Sequence, residues 1–335
     1  MNFQTLPPVE TSKVFLDIAF RTAREKVSQK VAPRGDKTPF LKQRESIKLD
    51  IVTEILAARL QRILRGFPVE NELSPFYQKL IRLTLDYQLY KKSFGAMKWA
   101  QDKIRLLHRQ YASLVQKATL LRKSQQLRGE FYGRISSVLQ QIDTNLKYLE
   151  DCRKIMKTYP DIKDLFTVCI YGFPNVGKTT LLNALTGTKA KVAAYAFTTV
   201  SINAGYLSID GQKVQVLDVP GTLARSEKIN LVEQQAELVL EEVAQIIIYV
   251  FDLTGTSGYT LAKQEELYQK IKDEKKVLVY LSKKDLLDAS VLAAFEHTHY
   301  TLEEIKKKIY MLVPPPPVVE GVPDEQFHEN ASISF

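Results

Sequence analysis

The chain is poor in cysteine and has no long apolar run. Cys152 and Cys169 are its only thiols, and they fit no metal-ligand spacing. Two cysteines make at most one bridge, which excludes a disulfide scaffold and points to a reducing compartment, with both thiols buried and inert. The longest apolar stretch, Ile246 to Phe251, falls far short of the roughly 20 residues that span a bilayer. The N-terminus carries no signal-peptide pattern, so a soluble, non-secreted chain without a membrane partner is expected. The histidines are few and form no metal or catalytic cluster; His297 and His299 read as surface residues. No internal repeat is present, and nothing in the sequence indicates oligomerisation.

What remains is ample for two domains. The chain has 335 residues and 45% hydrophobic content, above the usual single-domain size of roughly 100–200 residues. Its net charge of +9 is unevenly spread. Residues 1–164 hold 31 Lys+Arg against 17 Asp+Glu, net +14, and residues 165–335 hold 16 against 21, net −5. A basic half of this kind either faces a polyanion such as nucleic acid or presents a merely solvated helical surface.

Hydrophobic spacing separates the same two halves. From Thr11 to about Tyr159 apolar residues recur three and four apart, as in Val14, Phe15, Ile18 and Ala19, or Leu139, Ile142, Leu146 and Leu149. Breakers at Pro33–Gly35, Gly66–Pro68 and Ser74–Pro75 separate three early helices, and Ala96 to Tyr159 reads as two long ones. An antiparallel helical bundle over 1–160 is expected. Tyr159–Pro160 ends it, because proline disfavours helical geometry in the residue before it. Beyond, Phe166–Tyr171, Val214–Asp218, Ile246–Asp252 and Val277–Leu281 are strands by composition, alternating with helical patterns. That alternation predicts a mostly parallel sheet flanked by helices over 161–313. Four consecutive prolines open a tail, 314–335, expected to be extended and disordered.

Gly172-Phe173-Pro174-Asn175-Val176-Gly177-Lys178-Thr179 lies between a predicted strand and a predicted helix, the setting a phosphate-binding P-loop requires. Its glycines let backbone N–H groups curl toward phosphates, and the helix presents its positive end to them. Lys178 adds a point charge at the β- and γ-phosphates, Thr179 a hydroxyl for Mg²⁺, and Thr180 continues the loop. Pro174, Asn175, Val176 and Gly177 complete the expected cradle.

Three later elements choose the nucleotide. Asp218-Val219-Pro220-Gly221 ends a strand, where Asp218 can hold Mg²⁺ through water and the Gly221 N–H can sense a γ-phosphate. Between it and the P-loop, Tyr195-Ala196-Phe197-Thr198-Thr199 offers a hydroxyl to complete the Mg²⁺ shell, with Thr199 the chosen ligand and a role-free loop threonine the alternative. Ser282-Lys283-Lys284-Asp285 follows the next strand. Asp285 can accept from the ring N–H and exocyclic amine of guanine, which adenine does not offer, while the Lys283 stem covers the base. Ser282 stands where asparagine is usual. GTP and GDP are the expected ligands, an ATPase requiring that Asp285 not read the base. Lys178, Thr199 and Gly221 are the expected catalytic contributors.

These motifs, with Phe251-Asp252…Gly258-Tyr259, resemble those of the nucleolar GTP-binding protein (Nog) family within the Obg-related GTPases. The N-terminal half resembles the family's helical domain in Leu6-Pro7…Phe15-Leu16-Asp17-Ile18-Ala19-Phe20, Ser74-Pro75-Phe76-Tyr77, Phe131-Tyr132-Gly133-Arg134-Ile135-Ser136-Ser137 and Leu149-Glu150…Arg153…Pro160. The resemblance implies a GTPase switch in large ribosomal subunit assembly. Its partners would be a precursor particle, rRNA and ribosomal proteins, met through the helical domain. The chain stops shortly after the GTPase region and resembles a shorter archaeal form, which implies a cytoplasmic location. Thr222 stands where Ras-like enzymes carry a water-orienting glutamine, so slow intrinsic hydrolysis is expected. Ala196 replaces a frequent proline, and Ala293-Ala294 is the stretch most similar to the element that backs guanine. Asn175 resembles the asparagine that holds K⁺ in some relatives, the alternative being a residue that only stabilises the turn. Arg225 is read either as a γ-phosphate contact or as a partner contact. Two other readings stay open: a nucleotide-gated RNA-binding assembly factor with negligible hydrolysis, and a general translation or stress GTPase.

Overall fold

A computed structural model describes residues 3–29, 38–187, 191–193, 202–221, 231–273 and 275–315. Six helices come first: α1 (Ser12–Ser28), α2 (Thr38–Gly66), α3 (Pro75–Thr84), α4 (Tyr87–Lys117), α5 (Leu121–Gln141) and α6 (Asp143–Met156). The chain then runs through β1 (Thr167–Gly172), α7 (Lys178–Thr186), β2 (Lys191–Ala193), β3 (Ile202–Ile209), β4 (Gln212–Pro220), α8 (Leu231–Glu242) and β5 (Ile246–Phe251). It ends with α9 (Leu261–Ile271), β6 (Lys276–Leu281), α10 (Ala289–Ala293), β7 (His299–Tyr300) and α11 (Leu302–Leu312). The expected helical region followed by a mostly parallel sheet with flanking helices is what forms. No helix among the described residues is long and apolar enough to cross a membrane.

Two compact units result, one of residues 1–162 with 192–202 and 224–243, the other of the remainder. In the helical unit α2 packs against α1, α4 and α5. Leu49, Val52, Leu56 and Leu60 of α2 meet no solvent, nor do Met97 and Ile104 of α4 or Phe131 and Ile135 of α5. Each such side chain contributes about 1.5–3 kcal/mol through burial. Helix starts are fixed by specific acceptors. Asp86 caps α4 by accepting from the Leu89 N–H at 3.0 Å, and the N–H of Ser12 at the start of α1 donates to Asp143 of α6 at 2.8 Å.

The periodicity over 96–159 predicts two helices, and the structure corrects this to three. Ala118 and Leu120 are extended and separate α4 from α5. Ile142, at φ −102° and ψ 5°, separates α5 from α6 without proline or glycine. Helix α4 also begins nine residues before Ala96, at Tyr87, behind its Asp86 cap.

Within the second unit the strands lie in the order β3-β4-β1-β5-β6-β7. Strand β1 lies parallel between β4 and β5, β5 pairs parallel with β6 and β6 with β7, while β3 runs antiparallel to β4. Every residue of β1 and β5 is buried, as a central parallel sheet requires. The parallel strands therefore deliver their C-terminal residues to one edge, the place where open α/β sheets build sites.

Candidate functional site

Strand β1 leads into the turn 173–177, and α7 starts at Lys178. Gly177 has φ 101°, a backbone conformation that residues with a side chain rarely adopt, so the turn needs glycine there. Asn175 also lies in the left-handed region, at φ 62°. Among the described residues, the N–H groups of 175–179 donate to no protein acceptor. They sit at the α7 N-terminus and form a cradle open to an anion. The Lys178 ammonium is buried and donates to the Phe173 carbonyl at 2.8 Å. Burial holds its pKa below the ordinary lysine value, with the nearby Asp218 opposing. Pro174 is half-buried, Val176 is buried, and Thr179 and Thr180 are exposed.

Strand β4 places Asp218 beside this turn. Thr179 Oγ1 donates to Asp218 Oδ2 at 2.5 Å, and Asn203 Nδ2 of β3 donates to the same oxygen at 3.2 Å. A hydroxyl and a carboxylate side by side are hard oxygen donors of the kind Mg²⁺ selects. The Gly221 N–H donates to Gly172 O at 2.9 Å, so it can meet a γ-phosphate only after that bond opens. A Cβ at Gly221 would lie 2.9 Å from the same oxygen and 2.8 Å from Leu267 Cδ2. Thr198, Thr199, Thr222 and Arg225 lie outside the described residues, as does the tail beyond Pro315.

The edge of β6 supplies the third group. Ser282 is buried; its Oγ and N–H both donate to Phe251 O, at 3.1 and 3.0 Å. The small serine thereby fits between β5 and Gly177. Lys283, at φ 52°, reaches back and donates to the Asn175 carbonyl at 3.1 Å, Asp252 Oδ2 at 2.7 Å and Thr256 Oγ1 at 2.7 Å. Asp285 is exposed and has no hydrogen-bond partner among the described residues, leaving both carboxylate oxygens open to donors. Ala293 and Ala294 sit at the end of α10, ahead of β7 rather than behind a strand. The side chain of Asn175 is exposed beside the cradle.

Asp252 is the residue whose role sequence reasoning missed. It directly follows β5, is buried, and accepts from Thr254 N (2.9 Å) and Oγ1 (2.5 Å), Ser257 N (3.0 Å), Thr256 Oγ1 (3.3 Å) and Lys283. Burial opposes its ionisation, but the bonds from Lys283 and Thr254 outweigh this and hold its carboxyl below the ordinary value. Gln264 of α9 fixes the same loop, accepting from the Asp252 N–H at 2.9 Å and donating to the Asp252 and Tyr259 carbonyls. Tyr259 in turn stacks on Phe173 at 4.2 Å. The loop 252–260 thus braces both the phosphate turn and Lys283. An aspartate closing an apolar strand at the sheet's C-terminal edge was the available signal.

Residues 3–163 match the NOG1 N-terminal helical domain, and residues 167–283 match a family described as 50S ribosome-binding GTPase. An uncharacterised protein of Methanocaldococcus jannaschii is 36% identical over 292 residues, 85% of this chain and 81% of that protein. Nucleolar GTP-binding protein 1 of Arabidopsis thaliana is 30% identical, covering 92% of this chain but 46% of its own length. The protein of that name in Saccharomyces cerevisiae is 28% identical, covering 92% and 48%. This chain therefore spans about half the length of these nucleolar relatives. It belongs to the Nog family, a NOG1-type helical domain joined to a P-loop GTPase domain that binds and hydrolyses GTP.

Proposed function

We propose that this chain is a GTP-controlled factor in large ribosomal subunit assembly. In this reading the basic helical domain, 1–160, contacts rRNA and ribosomal proteins of a precursor particle, and the domain 161–313 reports which nucleotide is bound. The observation that carries it is the union, in one chain, of a NOG1-type helical domain with a GTPase domain of a family described as 50S ribosome-binding. The net charge of +14 over residues 1–164 supports a polyanionic partner, and the name nucleolar GTP-binding protein 1 borne by relatives supports a nucleolar counterpart elsewhere. A cytoplasmic setting accompanies the reading.

The geometry supports a division of labour. The N–H groups of 175–179 and the Lys178 ammonium take the phosphates. Lys283 lies over the base and Asp285 reads guanine, while Ala293-Ala294 remains the assignment for the element behind the base. Thr179 and Asp218, with Thr199 from the sequence reading, would hold Mg²⁺, which would supply positive charge to neutralise the phosphates. K⁺ beside Asn175 would add positive charge at the same place. Hydrolysis is slow, because Thr222 offers no carboxamide to orient water and the Gly221 N–H is engaged by Gly172 O.

Sedimentation with precursor large subunits is the test. Binding in the presence of a non-hydrolysable GTP analogue and release with GDP is expected. Equal partition with both nucleotides, or a preference for small subunits, overturns the reading. Single-turnover assays then separate slow hydrolysis from the alternative of a nucleotide-gated binder with negligible hydrolysis.

A further inference from the structure

Helix α4 runs 31 residues with one face committed to the core. Tyr90, Met97, Ile104, Leu107, Tyr111 and Val115 are buried there at helical spacing. The opposite face is basic. Residues 87–117 hold seven Lys and Arg against one carboxylate, Asp102, which pairs with Lys98 at 3.8 Å. At 100° per residue, Lys92, Trp99, Lys103 and Lys117 fall on one line, while Arg109 and Arg105 lie about 100° and about 140° round the helix from it. All five of these cations are exposed, and none has an ion-pair partner among the described residues. In their midst Trp99, the chain's single tryptophan, is 43% exposed, with Leu106 and Leu114 also open to solvent.

An indole is usually largely buried, and here it is exposed on the same line as the unpaired Lys92 and Lys103. Cations spread from Lys92 to Lys117 along about 38 Å of helix suit a linear polyanion better than a compact anion. Aromatic platforms inside a basic track are how proteins hold single-stranded nucleic acid: lysines follow the phosphates and bases stack on the ring. A paired base cannot do this, since its faces are already covered within the duplex, so an unpaired base is required. We propose that this face of α4 binds single-stranded RNA, with one base stacked on Trp99 and phosphates held by Lys92, Lys103 and Lys117. The proposal rests on the reading that the helical domain contacts RNA, and it says where and in what form.

Trp99 is its own reporter, because no other tryptophan contributes to the emission. A short single-stranded oligoribonucleotide is titrated into the full GDP-bound chain at several KCl concentrations. Saturable quenching is expected, with affinity falling on a log–log salt plot by about 0.7 per phosphate contact. By anisotropy of labelled RNA, Trp99→Ala is expected to weaken binding about tenfold, and Trp99→Phe to restore most of it. Lys103→Ala should lower the salt slope by about 0.7. These side chains are exposed, and unchanged melting temperatures will show that the variants fold. RNA binding without quenching, and indifferent to Trp99→Ala, overturns the stacking site while leaving the RNA-contact reading standing. Absence of any RNA binding overturns both. Quenching by polyglutamate in preference to RNA assigns the face to an acidic protein instead and overturns the proposal.

Discussion

Asp252→Asn isolates the brace between the phosphate turn and the base-covering lysine. In the wild type both carboxylate oxygens are engaged: Oδ1 by the backbone and hydroxyl of Thr254, Oδ2 by Lys283, Ser257 N–H and Thr256. An asparagine amide must point its NH₂ at one of these two sets, and either way donors face donors. The pair is buried on the Asp252 side, whereas Lys283 is 27% exposed, so water recovers part of what the lysine loses. A lost charge-assisted hydrogen bond is worth about 1.5–3 kcal/mol, and a loss of about 2–3 kcal/mol is expected in total, shared between folding and binding. Lys283 keeps Asn175 O and Thr256 Oγ1 as acceptors, so it stays near the phosphate turn, loosely held. Nucleotide affinity is therefore expected to fall about tenfold, near 1.4 kcal/mol, rather than vanish. Titration of a fluorescent GDP, beside a thermal melt of the nucleotide-free protein, reads both parts. A lowered melting temperature with Kd unchanged within twofold refutes the positioning argument and leaves Asp252 a purely structural residue.

Gly221→Ala places a methyl 2.8 Å from Leu267 Cδ2 and 2.9 Å from Gly172 O; weaker discrimination between GTP and GDP is expected in nucleotide titrations, and unchanged discrimination refutes the assigned sensor role. Bonds from Lys147 and Ser12 hold the Asp143 carboxyl down at about 2, against an ordinary 3.8. Its stabilisation is thus complete above the ordinary value and lost as pH falls toward about 2. Asp143→Asn should cost roughly 1 kcal/mol at neutral pH, and melts of the two proteins should converge in acid; a gap independent of pH contradicts this. Burial pushes the Cys152 and Cys169 thiols up to about 11 and about 12. Neither should react with a thiol reagent at neutral pH until denaturant is added, and rapid native labelling shows the burial to be wrong.

What the sequence discloses depends on how local the chemistry is. The phosphate turn is contiguous, since a strand, a turn with φ above zero and a helix N-terminus must follow one another within a few residues. Ser282-Lys283-Lys284-Asp285 is readable for the same reason. The Asp252 brace joins a local turn at Thr254 to Gln264 of α9 and to Lys283, which reaches it only because β6 lies beside β5, so no spacing announces it. Helix counting from periodicity misses the break at Ile142, where neither proline nor glycine marks the change in backbone direction. Strand β7 has two residues, too few for an alternating pattern, so nothing in the sequence marks the strand that follows Ala293-Ala294. The charge division was visible from composition, but its concentration on α4 around an exposed indole needed the helix phase that packing fixes.

The central claim is that this site reads guanine through Asp285, and competition binding tests it most directly. Fluorescent GDP is titrated into wild type and Asp285→Asn, with GTP, ATP and a xanthosine nucleotide as competitors. The account predicts displacement by GTP and not ATP in the wild type. In the variant it predicts at least a tenfold loss of guanine affinity and a gain for xanthine, whose C2 carbonyl accepts from the asparagine amide. Displacement of GDP by ATP, or indifference to the substitution, would contradict it.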